Sequence, residues 1–73
     1  MAATEVKSEI TGTVWKILSK PGDAVSEDEV LMILESMKME IPVTAPEDGI
    51  VKEVRVAEGD LIAEGQVAVV IDT

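Results

Sequence analysis

The chain repeats itself. Displaced by 37 positions, Gly12 falls on Gly49, Val14 on Val51, Ile17 on Val54, Gly22-Asp23 on Gly59-Asp60, Val25 on Ile62 and Glu27 on Glu64. Val30, Met32 and Leu34 then meet Val67, Val69 and Ile71, with no insertion or deletion between them. Because the glycines and the alternating apolar set agree in one register, the 73 residues read as two copies of one motif, about 10–35 and 47–72, within one domain spanning 1–73.

Each copy reads as β-structure. Apolar residues recur at spacing two, β-branched types dominate, and turn residues interrupt the runs every eight to twelve positions, so the class is all-β with no helix of useful length. In Lys20-Pro21-Gly22-Asp23 and Ala57-Glu58-Gly59-Asp60 the glycine holds the third turn position, where a type II turn needs positive φ. Val14 and Ile17 are three apart, as are Val51 and Val54, which predicts a bulge that turns both members inward. The runs Val30 to Leu34 and Val67 to Ile71 are apolar at nearly every position, as in strands buried on both faces between packed sheets. Two similar halves of a small barrel pack most simply about an approximate two-fold axis. That axis carries position 38 to the chain ends, so Lys38 is expected far from Met1 and Thr73.

Composition removes several classes of function. The chain has no cysteine and no histidine, which excludes disulfide staples, thiol nucleophiles and the commonest metal ligand, and no metal site is expected. A chain this short buries only about 60% of its unfolded surface, which leaves little room for a deep catalytic pocket. Fifteen acidic against six basic residues give a net charge of −9, and with neither phenylalanine nor tyrosine both the electrostatic and the stacking terms of nucleic-acid binding are missing. The polar segment Met1 to Glu9 is no signal peptide and no membrane span can be drawn, so a cytoplasmic protein, monomeric in isolation, is the expectation. Trp15, the lone aromatic, has Lys52 as its repeat mate and is expected to be partly buried over local apolar surface.

One segment breaks the local rules. Glu35-Ser36-Met37-Lys38-Met39-Glu40 joins two strands without Gly, Asn, Asp or Pro, although a tight two-residue hairpin needs positive φ at its centre. Met and Lys adopt that conformation at a cost of about 1–2 kcal/mol each. Such breaches often mark functional sites. Two arrangements fit the residues alone. Either Lys38 is a solvated turn lysine between two core methionines, or it is a presented lysine between exposed methionines, which suit a surface that meets different neighbours.

Met37-Lys38-Met39, preceded by Glu35 and followed by Ala45-Pro46-Glu47-Asp48-Gly49, resembles the biotinyl domain of biotin-dependent carboxylases, and the resemblance covers nearly the whole chain. It implies a flattened barrel of two four-stranded antiparallel sheets with quasi-two-fold symmetry. It also implies biotin joined through an amide to Lys38, with Met37 and Met39 as flanking recognition residues and Glu35 as a further one. Ser36 stands where the family usually has alanine. The unbroken repeat leaves no room for the thumb found in some relatives, so the chain is similar to the minimal, thumbless type. The implied role is that of a non-catalytic carrier taking a carboxyl group from a biotin carboxylase to a carboxyltransferase, after modification by a biotin protein ligase. Two rivals are a lipoyl carrier, which usually has Asp-Lys-Ala at the turn, and an unmodified barrel acting as an adaptor, which typically lacks the lysine. Met1 and an end just after the last strand favour a free-standing protein over an excised segment.

Overall fold

Alternation and turns together set the strands. The computed structural model describes residues 2–73. Eight strands follow one another: β1 Ala3–Lys7, β2 Gly12–Ile17, β3 Ala24–Val25, β4 Val30–Ser36, β5 Met39–Thr44, β6 Gly49–Val54, β7 Leu61–Ile62 and β8 Val67–Asp72. They form two four-stranded antiparallel sheets, ordered β1-β8-β6-β3 and β5-β4-β2-β7. The 37-residue shift converts β2 into β6, β3 into β7 and β4 into β8, and carries β1 onto β5, so it turns one sheet order into the other.

The turns repeat down to single hydrogen bonds. Gly22 and Gly59 have φ of 96° and 92°, as expected for the third turn position. Asp23 N–H donates to the Lys20 carbonyl at 3.1 Å while the Asp23 carboxylate accepts from Lys20 N–H at 3.0 Å. Asp60 does the same with Ala57, at 3.0 and 2.9 Å. A second pair of turns follows, Ser26–Glu29 and Ala63–Gln66, in which Glu29 and Gln66 reach back to the first N–H of each turn. Their third positions are Asp28 and Gly65, at φ of 69° and 86°. The two halves also interlock. Gly22 N–H donates to the Val51 carbonyl and Val51 N–H to the Asp23 carbonyl, both at 2.8 Å; reciprocally, Gly59 N–H donates to Val14 and Val14 N–H to Asp60, at 2.7 and 2.8 Å. The turn of each half is held by a strand of the other.

Two kinds of bulge shape the core. The ladder slips between Val14 and Lys16 in β2 and between Val51 and Glu53 in β6, which leaves Trp15 and its mate Lys52 as the extra residues. Val14 and Val51 are fully buried, and Ile17 and Val54 pack against the core. Opposite β5 and β1 the ladder skips Leu31 and Ala68, and both of these face inward together with Met32, Leu34, Val69 and Ile71. This is why the two runs are apolar almost throughout. Each fully buried Leu or Ile of this set contributes about 1.5–3 kcal/mol. Burial on both faces holds for β8, whose Val70 is covered on the outside, but not for β4, where Ile33 is only half-buried.

The same register fixes which ends are far apart. Gly49 lies against Asp72 and Thr73, and Asp48, beside it, accepts a 2.7 Å hydrogen bond from Glu27 N–H. From that end β4 runs away over Val30–Ser36, roughly 20 Å at the rise of a strand, to the turn that holds Lys38. Lys38 and Thr73 therefore occupy opposite ends of a body measuring 36 × 17 × 17 Å. The expected separation of Lys38 from Met1 lies outside the described residues. No helix among the described residues is long and apolar enough to cross a membrane.

Candidate functional site

Core burial forces the turn to be tight. Met32 and Leu34 of β4 face inward opposite Val43 and Ile41 of β5, and a one-residue slip would carry Leu34 to the outer face. In this register Glu35 pairs with Glu40 and Ser36 with Met39, which leaves two residues for the loop. Met37 and Lys38 accordingly take φ of 51° and 65°, the left-handed pair of a type I′ hairpin. Asp28 is the one other non-glycine residue at positive φ among those described.

The base of the hairpin is held from β2. Ser36 Oγ donates to the Thr11 carbonyl at 3.1 Å, and Gly12 passes directly beneath the Glu35 carbonyl. Thr11 Oγ1 in turn accepts from Glu64 N–H at 3.1 Å, so the start of β2, the hairpin base and the β7–β8 turn are tied together. Sequence reasoning places Gly12 in the repeat but assigns Gly12, Thr11 and Ser36 no part in the site. The recurrence of a glycine at 12 and 49 is the available signal, since both positions demand close approach to a neighbouring carbonyl.

The methionines are outside the core. Met37 is 92% exposed and Met39 63%, which excludes the arrangement that makes them core residues of the two strands. Lys38 is exposed as well. The one ion pair among the described residues joins Arg55 to Glu53, so the Lys38 ammonium has no carboxylate partner. The turn thus presents one amine between two long apolar side chains, on a strained but well-anchored loop, at the end remote from Thr73. Glu35 and Glu40, directly opposite each other and both exposed, lie one row below it. No group of three or more potential metal-binding side chains occurs among the described residues.

Chemically, this arrangement offers an accessible primary amine at the tip of the hairpin. That is what an attachment point for an acyl group requires.

Comparison with known proteins agrees. The family model described as "Biotin-requiring enzyme", of the biotin/lipoyl type, matches residues 1–71. The chain is 48% identical over 62 residues to a biotin/lipoyl attachment protein of Bacillus subtilis, covering 85% of each. It is 45% identical over 69 residues to a biotinylated protein TB7.3 homolog of Mycobacterium leprae, covering 94% of this chain and 97% of that one. Among solved structures, the urea carboxylase of Kluyveromyces lactis superposes with a TM-score of 0.93 at 33% identity, over 99% of this chain but only 6% of that much longer one. With a symmetric two-sheet barrel, a lysine presented on a left-handed hairpin and a family match over nearly all its length, this chain belongs to the biotin/lipoyl attachment family.

Proposed function

We propose that this domain is a biotin carboxyl carrier, with biotin attached through an amide to Nζ of Lys38 and with Met37, Met39 and Glu35 read by the enzymes that act on it. The observation that carries the reading is the Met37-Lys38 turn itself, both residues left-handed and exposed, at the end of the barrel away from Thr73. The site fits the group. An amine with no ion-pair partner among the described residues, on a base anchored through Ser36 and Gly12, is open to acylation without rearrangement of the fold. A relative described as biotinylated, matched over nearly its full length, supports biotin over lipoate, and the methionines in place of Asp-Lys-Ala favour the same choice.

Bound there, biotin supplies a ureido nitrogen able to hold a carboxyl group between two enzymes. The chain's own part is to position. Lys38 Nζ gives up a proton when it forms the amide, a step that belongs to a biotin protein ligase. The lysine side chain and the biotin tail together provide about ten single bonds, a reach on the order of 10–15 Å beyond the turn. Met37 and Met39 offer apolar surface to whatever protein closes over the turn. A biotin carboxylase at one end of the swing and a carboxyltransferase at the other then meet a tethered group at raised effective concentration, so neither has to hold the domain tightly. In this reading the domain is a non-catalytic partner of a carboxylase.

Intact mass after co-expression with a biotin ligase, followed by peptide mapping, tests the assignment. Biotin is expected on Lys38 alone among the five lysines, with the formal charge passing from −9 to −10. Lys38→Arg keeps charge and length but cannot form the amide, and is expected to fold normally and support no carboxyl transfer. A lipoyl adduct, biotin on another lysine, or an active Lys38→Arg protein would each overturn it.

A further inference from the structure

The repeat supplies an internal comparison between the outer faces of the two sheets. On the β1-β8-β6-β3 sheet that face is charged. Glu5, Lys7, Lys52, Glu53 and Arg55 surround Val70, which is only 5% exposed beneath their stems. Arg55 is paired with Glu53, whose hydrogen bond and charge raise the guanidinium pKa.

The symmetry-related face, on the sheet that carries Lys38, has different residues at the same places. Pro42 replaces Glu5, Thr44 replaces Lys7, Trp15 replaces Lys52 and Leu18 replaces Arg55, while Lys16 in place of Glu53 keeps a charge; Ile33, the mate of Val70, is left half-covered. Trp15 remains 43% exposed, with the Lys16 ammonium over its ring at 5.7 Å from the centroid. Leu61, opposite Thr13 at the edge of the same sheet, is 80% exposed where its mate is Ala24. Of the six large apolar residues exposed among those described, Trp15, Leu18, Leu61, Met37 and Met39 belong to this sheet and its hairpin, and only Ile50 to the other. The fold does not need them there, since the other face does without.

Charge adds a second constraint. Glu35 and Glu40 are direct cross-strand neighbours between this apolar surface and the turn, and like charges so placed repel. Their mates are Asp72 and Ala3, a single acid, so the pair is not imposed by the fold either. A partner with cations at that point relieves the repulsion, whereas a second copy of a chain of charge −9 adds to it.

We propose that the outer face formed by Trp15, Leu18, Ile33 and Leu61, with Glu35 and Glu40 at its upper edge, is the docking surface for the biotin carboxylase, which meets it with an apolar cleft flanked by lysine or arginine. The proposal rests on Lys38 being the biotinylated residue. A ligase must touch Nζ of Lys38 and can read the turn directly. A carboxylase works at the far end of an arm on the order of 10–15 Å long and needs recognition from surface below the turn. This face is continuous with the turn along β4 and β5.

The test uses the biotinylated domain and the biotin carboxylase of the same organism. Trp15→Lys with Leu18→Arg installs the residues that the fold already accepts at 52 and 55, and Leu61→Ala is a second, separate variant. Loss of such anchors is expected to raise the KM for the biotinylated domain on the order of tenfold, with kcat, melting temperature, biotinylation rate and turnover of free biotin unchanged, and with Lys52→Ala on the opposite face behaving as wild type. An unaltered KM in both variants overturns the proposal. So does slowed biotinylation at unaltered KM, which makes the face a ligase surface, or a wild-type dimer in sedimentation that the variants abolish, which makes it a self-contact. A wild-type chain that takes no biotin at Lys38 fails at the earlier step, and mass spectrometry alone reveals it.

Discussion

Gly12 lies so close beneath Glu35 that a methyl group on it would stand 2.6 Å from the Glu35 carbonyl oxygen, and Gly49 stands in the same relation to Asp72, at 2.5 Å. These contacts are with backbone, which cannot swing away as a side-chain tip would. Gly12→Ala and Gly49→Ala are each expected to cost about 1–3 kcal/mol in urea unfolding. Only Gly12→Ala displaces the base of the hairpin, so among folded molecules only that variant should take up biotin more slowly. Equal labelling rates for the two would remove Gly12 from the site.

Gly22 and Gly59 differ from that pair because a Cβ on either would meet nothing within 4 Å, which leaves positive φ as their whole constraint. Alanine at either position is expected to cost about 1 kcal/mol, and asparagine less. In thermal melts a loss of that size is about 4–8 °C for a domain near this length. Alanine variants that melt with the wild type would contradict the turn geometry.

The hairpin is expected to gain stability when Met37 and Lys38 are replaced. Met37→Asn with Lys38→Gly gives the turn the residues its left-handed backbone prefers, and the double variant should be more stable by about 1 kcal/mol while accepting no biotin. A less stable variant would mean that Met37 and Lys38 contribute contacts that outweigh their backbone strain.

Truncating Met37 and Met39 together to alanine should leave the melting temperature almost unchanged, because neither side chain stands in the core. Modification by the ligase, or carboxylation by its partner enzyme, should slow. A drop of several kcal/mol, the range for emptying a core position, would return the methionines to the interior.

Much of this was legible because the repeat and the glycines act through the backbone. Gly22, Gly59 and the Val14/Ile17 and Val51/Val54 spacings announce turns and bulges whichever neighbours they meet. The strain at Met37-Lys38 was legible too, since a two-residue hairpin without Gly or Asn has few conformations to choose from. Asp28 at positive φ was not, as aspartate is common in ordinary turns; its repeat mate Gly65 was the only clue. Nor does the pattern tell which half supplies the strand that holds each turn, because Val14 and Val51 are equally good partners for Gly22 until the chain closes. The inward turn of Leu31 and Ala68 depends on a ladder slip against β5 and β1 that no local spacing encodes.

Among the described residues, only one pair of strands adjacent in sequence is hydrogen-bonded, β4 with β5; every other ladder, from β1 with β8 to β2 with β7, joins segments separated by intervening strands. Most of the sheet structure therefore requires long loops to close before its contacts can reward them, which belongs to the slow, high-contact-order regime of milliseconds to seconds. The single local hairpin that could start the process is the one whose turn carries left-handed Met37 and Lys38. The lysine's prominence thus has a kinetic side, since the strain in its turn weakens the one hairpin between sequence-adjacent strands among the described residues.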